Sequence, residues 1–498
     1  MKLKDNKTIR KVQKEIVNKP LFYLILLTIL IRLFYLSMQH PLWWDSHIYI
    51  GMGKFIFSQG KVGIWESFRP LVHPIIIGAF WKLNFNPIMI GKLLDLVFST
   101  TAVYLTYLIG KQTFNKTVGL ISALIFSLTS LFIMFTGLIL TEPLAITLAL
   151  LGIYLYLREE KTSNTNNVKG YFLLAISGLF LGLSFMTKFP QGIIFGALAL
   201  ILLFRRKKLI KKFKDLFSIT FGFLIPVAPY MIFNYFKYPN MLEPFISGSW
   251  IVTTSTWVYG TGITFYLTNF FLRYWIYLFF FVYIYFYFKE KHWQDNKKTF
   301  ILITAIFFLL YFIIQVPRKE VRYLTTILPL LTTLVAYAII NIYQKLKTTE
   351  KPTLRPYAFV IICIIITIVH VPTTLYSEKV PTFEQEILIL IDEYNITNAI
   401  MTTDPSFVSF VDQPVIILSA GLQFGPQIYE REKSNYGLLF INSCDFICAP
   451  NDSTCLEKKN NFVNLIFSEN KEIFRKTVKN CTYSIALPKP QDGELAEK

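Results

Sequence analysis

The sequence predicts a polytopic α-helical membrane protein of about eleven spans with a small C-terminal α/β domain. Three observations carry that expectation: apolar runs of spanning length, basic residues gathered in alternate loops, and four cysteines confined to the tail.

The chain of 498 residues is 53% hydrophobic and only 16% charged, where a soluble protein is about a quarter charged. Segments such as 21–38, 119–135, 193–204 and 301–314 carry almost no charge. Most apolar runs are about 16–23 residues, near the roughly 20 needed to cross about 30 Å of hydrocarbon. Spans fall near 20–38, 88–110, 118–136, 142–158, 170–187, 190–204, 215–236, 266–288, 299–316, 324–344 and 357–375. The chain thus divides into a membrane part, 1–375, and a soluble part, 376–498.

The net charge of +19 could indicate nucleic acid, but its placement excludes that partner. One alternate set of loops holds 27 Lys and Arg and the opposite set holds nine. Such a bias places the first set, and the N-terminus, in the cytoplasm. The densest run, RRKKLIKKFK at 205–214, then faces anionic inner-leaflet lipid. The first span follows seven basic residues and lacks a small-residue cleavage site, so it reads as an anchor in the cell membrane. An odd number of spans puts the tail outside.

The loop at 39–87 contains two apolar stretches too short to cross, SHIYIGMGKFIFSQG and VHPIIIGAFWKL. Both suit helices lying in the interface, with Trp43, Trp44, Trp65 and Trp81 at headgroup level. The loop at 237–265 is rich in Gly, Ser, Thr, Trp and Tyr, and reads either as a lid or as plain connection. In the tail, TFEQEILILIDEYN has a helical pattern, and NAIMTT, PVIIL, YGLLFIN and CTYSIAL read as strands. No glycine-rich nucleotide motif is present, and no internal repeat of the kind found in common transporter architectures.

Cys363 sits in a span, whereas Cys444, Cys448, Cys455 and Cys481 share the exterior tail. An even set outside the cell suggests two disulfides, with three possible pairings. The alternative is a four-thiolate metal site, but C-x3-C-x6-C-x25-C is not a zinc-ribbon spacing.

Ionisable residues at membrane depth or at its mouth are functional candidates, because unpaired burial there is costly. They are Arg32, Asp45, Glu66, Arg69, Lys92, Asp95, Glu142, Lys188, Arg273, Arg318 and Arg322. Lys92 and Asp95, three apart, are expected to pair with each other. Arg32 and Arg273 are expected to snorkel or to meet a loop carboxylate. Glu142 opens a span, where a carboxylate suits the helix dipole. Asp45 has two readings: a general base at the mouth of the bundle, or the N-cap of a helix starting at Ser46 or His47. The five histidines show no metal-ligand spacing, so no metal is assigned, and divalent-metal dependence stays open.

Five segments together carry a resemblance: WWDSHIYIGMGKFIFSQG, WESFRPLVHPIIIGAFWKL, LTEPLAITLALLGIYLY, SGLFLGLSFMTKFPQGIIF and VPRKEVRYLTTILPLL. In their order and placement the chain resembles the C-type membrane glycosyltransferases, particularly the protein O-mannosyltransferase and aminoarabinose transferase superfamily. The resemblance implies transfer of a sugar from a polyprenyl-phosphate donor on the outer face, without a nucleotide sugar. The acceptor would be a hydroxyl of a protein, glycan or lipid. It implies that Asp45 is the catalytic base, reacting with inversion. Relatives often carry Asp-Glu where this chain has Asp45-Ser46, so Glu66 is the candidate second carboxylate. Arg69 stands where relatives have a basic residue before Pro-Pro-Leu, Lys188 in the Thr-Lys segment, and Arg322-Tyr323 in the Arg-Tyr segment.

Charge placement agrees with that implication. Arg69, Lys188, Arg318 and Arg322 are cations in otherwise cation-poor exterior loops, suited to a phosphate whose charge grows as the sugar departs. Glu142 is a further acidic candidate beside them. The competing reading is a transporter or flippase of lipid-linked saccharide. An oligosaccharyltransferase would carry WWDYG in the tail, and this tail has no Trp.

Overall fold

A computed structural model describes residues 19–38, 40–162, 167–205, 208–253, 259–346, 383–418, 422, 424–449 and 451–489. The eleventh expected span, Cys363 and most of the N-terminal basic segment lie outside the described residues. The chain divides into two compact units. One draws on Met1–His40, Phe68–Val72 and Lys92–Ser377; the other on Pro41–Ser67, His73–Gly91 and Glu378–Lys498.

The first unit is helical. Among the described residues six helices are long and apolar enough to cross a membrane: Pro20–Ser37, Pro87–Thr113, Asn167–Phe185, Leu209–Lys237, Asn296–Gln315 and Val321–Lys345. With the shorter Lys116–Leu128, Phe189–Phe204 and Trp275–Lys289, and with Thr141–Thr162, they occupy the first ten expected spans. Val321–Lys345 is the central helix, 89% buried in its apolar window, and Pro20–Ser37 a peripheral one at 17%. Leu209–Lys237 leaves Phe217, Ile232 and Phe236 exposed, a face that suits hydrocarbon and not water. Close helix approach uses glycine: a Cβ on Gly222 would lie 1.8 Å from the Ala175 carbonyl oxygen.

Three expectations change here. The span at 266–288 is segmented into Leu267–Phe271, Trp275–Leu278 and Phe279–Lys289, with different helical windings. Asp95 does not pair with Lys92; its carboxylate accepts the N–H groups of Gly137 at 3.1 Å and Ile139 at 2.7 Å. Arg32, fully buried, neither snorkels nor meets a carboxylate among the described residues. It donates to Ser99 Oγ at 2.9 Å and lies over the Phe132 ring.

The second unit holds a five-stranded sheet of order β2-β1-β3-β5-β4, with β1 Ala399–Thr402, β2 Val415–Ile417, β3 Tyr436–Asn442, β4 Asn470–Val478 and β5 Cys481–Pro488. The first three strands are parallel, and β5 runs antiparallel to both β3 and β4. Sequence reading missed β4 because NKEIFRKTV is largely polar, as an edge strand tolerates. Helices Gly425–Glu432 and Ser453–Glu469 were also missed. Cys444 is bonded to Cys481 and Cys448 to Cys455.

The helix Trp44–Phe57 belongs to this unit and is largely packed in protein. Ile48, Ile50 and Met52 have no exposure. A Cβ on Gly53 would lie 2.8 Å from the Gly78 nitrogen, so the helices Trp44–Phe57 and Val72–Lys82 cross at backbone contact. Trp65 packs on Phe55, and Trp81 lies beside Lys54. Gly63, at φ +86°, donates to Gln413 O and accepts from Val415 N, extending the sheet beside β2. Its left-handed backbone and the 2.2 Å a Cβ would leave to Gly51 O both require glycine.

Candidate active site

Trp43 is the N-cap residue of the helix Trp44–Phe57, in extended conformation, and its N–H donates to Ser46 Oγ at 3.2 Å. Asp45 is therefore the second residue of the first turn and not the cap, which removes the capping alternative. Ser46 closes the helix start through its contact with Trp43. A carboxylate in the first turn is favoured by the helix dipole, and Asp45 takes such a place. Glu66 is half-buried just before the turn at 67–68.

Further along the Asp45 helix, His47 Nδ1 lies 2.6 Å from Ser409 Oγ. Burial lowers the His47 pKa to about 4, so its imidazole is neutral at ordinary pH. Lys54, 2% exposed, donates to Asp412 Oδ1 at 3.0 Å and to the Val411 carbonyl at 2.9 Å. Burial lowers its pKa, and Asp412 opposes that shift.

The cations form two groups in the helical unit. Glu320 is the hub of the first: Arg318 Nε reaches Oε1 at 2.6 Å, and Arg322 Nε reaches Oε2 at 2.5 Å. The Tyr323 hydroxyl donates to Oε1 at 3.0 Å, and the Arg318 guanidinium stacks 3.4 Å over Tyr259. Gly260 and Lys319 exchange both backbone hydrogen bonds, so the loop at 237–265 is tied to this segment. Lys319 itself turns inward and donates to the carbonyls of Phe312, Ile313 and Val316, ending the helix Asn296–Gln315.

Lys188 takes a different carboxylate, Glu142 Oε1 at 2.6 Å. The 3-10 turn Phe189–Gln191 starts just after Lys188, and Gln191 Nε2 donates to Thr326 Oγ1 at 3.4 Å. Thr326 lies in Val321–Ile327, which also carries Arg322. That contact brings the Lys188 and Arg322 segments together. Arg69 stacks on its neighbour Phe68, and Val72 N–H donates to Met186 O, two residues before Lys188.

Residues 68–233, which include Arg69, Glu142 and Lys188, match the family described as dolichyl-phosphate-mannose-protein mannosyltransferase. Among solved structures, ArnT from Cupriavidus metallidurans, bound to undecaprenyl phosphate, aligns with TM-score 0.61 and 12% identity over 95% of this chain and 99% of its own. The archaeal oligosaccharyltransferase AglB from Archaeoglobus fulgidus, with an inhibitory peptide and a dolichol-phosphate, aligns at 0.57 and 11% over 96% and 75%. The arabinofuranosyltransferase AftD from Mycobacteria aligns at 0.51 and 10% over 94% and 41%. The fold is that of the C-type membrane glycosyltransferases. No curated protein matches the chain in sequence.

Within this C-type fold, sequence reasoning missed Glu320, Gln191, Thr326 and the structural role of Asp95. The available signal for Glu320 was its place between two arginines in PRKEVR, where a lone carboxylate suits a shared partner. Among the described residues no group of His, Cys, Asp or Glu is arranged to hold a metal ion.

Proposed function

We propose that this protein is a glycosyltransferase that moves a sugar from a polyprenyl-phosphate donor to an acceptor hydroxyl, with inversion. The observation that carries the proposal is the clamping of Arg318 and Arg322 on the two oxygens of Glu320. Two guanidinium groups fixed by one carboxylate are oriented before the ligand arrives, and guanidinium groups suit phosphate oxygens. Together the three side chains keep one net positive charge, which balances a phosphodiester. Lys188 and Arg69 add cations, Tyr323 adds a hydroxyl, and Glu142 orients Lys188. The polyprenyl phosphates bound by ArnT and AglB support this donor class.

Asp45 is the base in this reading, and Glu66 the acidic support. Asp45 takes the acceptor proton as the hydroxyl oxygen bonds to the anomeric carbon, and the carbon–oxygen bond to phosphate breaks on the opposite face. The electron pair leaves with the phosphate, whose growing charge the cations stabilise. The donor, membrane lipid and an acceptor protein, glycan or lipid are then the partners. The reaction lies on the outer face, with the N-terminus cytoplasmic and the tail extracytoplasmic.

The test is incubation of purified protein with labelled polyprenyl-phosphate sugars, following products by mass. Transfer from at least one donor is expected, and Asp45→Asn should bind donor yet turn over about a hundredfold more slowly. Normal turnover by Asp45→Asn removes the base from the mechanism, and no transfer from any donor overturns the reaction.

A further inference from the structure

One stripe of the Asp45 helix meets a single turn of the tail at three positions. His47, Gly51 and Lys54 are spaced i, i+4, i+7, which places them on one stripe of the helix. His47 bonds Ser409 Oγ at 2.6 Å. Gly51 packs so closely on Val408 that a Cβ would lie 2.1 Å from the valine Cγ1. Lys54 bonds Asp412 and the carbonyl of Val411, with Ser409 O at 3.5 Å. The two polar anchors are seven residues apart, about 10 Å along the axis, so together they set both tilt and rotation. Asp45 precedes His47 by two residues, about 200° around the helix, and so it points away from the turn that holds the stripe.

We infer that the tail turn at 408–412 is a positioning element for Asp45, with Ser409 and Asp412 setting the rotation of the helix that carries it. This rests on the reading of Asp45 as the base. The role it assigns to the tail is catalytic alignment: the sheet carries the turn, the turn grips the stripe, and the opposite face presents the carboxylate. Ser409 acts through His47 and touches no reacting atom. The contact needs a hydroxyl and a nitrogen at hydrogen-bond distance and requires no charge on the imidazole, consistent with its neutral state.

The experiment compares Ser409→Ala, Ser409→Thr, His47→Leu and His47→Asn in the full-length protein, measuring donor binding, KM and kcat. Ser409→Ala and His47→Leu should each lower kcat about tenfold with donor binding unchanged. Ser409→Thr keeps the hydroxyl, and His47→Asn keeps a polar atom near the Nδ1 position, so both should recover most of the loss. In the Asp45→Asn background, Ser409→Ala should cost nothing further, because there is no base left to aim. Full kcat in Ser409→Ala, alongside an inactive Asp45→Asn, overturns the positioning role and leaves the base intact. An additive loss in the double variant also overturns it. Should Ser409→Ala fail to fold, equal turnover in His47→Leu and His47→Asn overturns it equally. A fully active Asp45→Asn instead sinks the underlying reaction mechanism, so the two failures are distinguishable.

Discussion

Asp95 accepts the backbone N–H of Ile139 at 2.7 Å, and Ile139 holds a positive φ of 56°. A β-branched residue in the left-handed region is strained, and such strain persists only where surrounding bonds over-determine it. Two residues later the helix Thr141–Thr162 begins, and its first turn carries the Glu142 that grips Lys188. The buried carboxylate thus sets the start of the helix whose Glu142 holds Lys188. Asp95→Ala leaves the N–H groups of Gly137 and Ile139 without this acceptor, a loss of about 2–4 kcal/mol. Thermal melting in detergent should show that loss, with weaker polyprenyl-phosphate binding, and Asp95→Asn should fall between. A variant that melts and binds like the parent would sink the assignment.

Lys188 pairs with Glu142 and, in the proposed function, also binds the donor phosphate; substitution can separate the two. Lys188→Met strands the carboxylate of Glu142, which is 3% exposed, at a cost of about 3–5 kcal/mol. The double variant Lys188→Met with Glu142→Gln removes both charges and should melt near the parent. Polyprenyl-phosphate binding should stay weak in the double variant, because the cation is gone. Restored binding would make Lys188 a structural residue only. Arg322→Lys should not rescue Arg322→Gln, since lysine lacks the fork that reaches both oxygens of Glu320.

The two disulfides differ in the chain they close. Cys444–Cys481 spans a separation of 37 residues and Cys448–Cys455 one of 7. The chain-entropy estimate gives roughly 4 kcal/mol for the longer loop and roughly 2 for the shorter. Replacing Cys444 and Cys481 with Ser should therefore lower the tail's unfolding midpoint more than replacing Cys448 and Cys455. Chemical denaturation followed by hydrogen exchange of tail peptides reads this directly, and the opposite order would contradict it.

Two partly buried groups of the tail unit pull its pH dependence in opposite senses. Burial, with the charge of Asp404, raises Asp445 from 3.8 to about 8. Its folded state holds a proton that the unfolded chain releases, so stability falls as pH rises from about 4 through 8. His47, lowered from 6.5 to about 4, does the reverse, and its contribution is lost as pH falls below 6.5. Between about 4 and 6.5 the slopes oppose; above 6.5 the Asp445 slope remains. Stability should therefore decline from pH 6.5 to 8, and Asp445→Asn should flatten that decline in melting curves. An unchanged slope in Asp445→Asn would exclude Asp445 as its source.

Spans, strands and cysteines were legible because their signals are local. A run such as LFYLILLTIL carries its own free energy of transfer, and the charge of a neighbouring loop needs no partner to be read. Asp45, Lys188 and Arg322 stood out for the same reason, as charges in places where charge is costly. Partners are another matter. The spacing of Lys92 and Asp95 suggested a pair, yet Asp95 serves a turn more than forty residues downstream, because two buried N–H groups without an acceptor cost more than a lysine that can reach water.

The sequence by itself determined that this chain spans a membrane with alternating charge, has a small α/β tail with four cysteines, and carries a base candidate and cations in its loops. Only the tertiary structure decided that Glu320 joins Arg318 to Arg322, and that His47 meets Ser409 across a separation of 362 residues. The physical reason is that burial and helical periodicity are written along the chain, whereas a hydrogen bond depends on two side chains arriving within about 3 Å of one another, which only the folded packing settles.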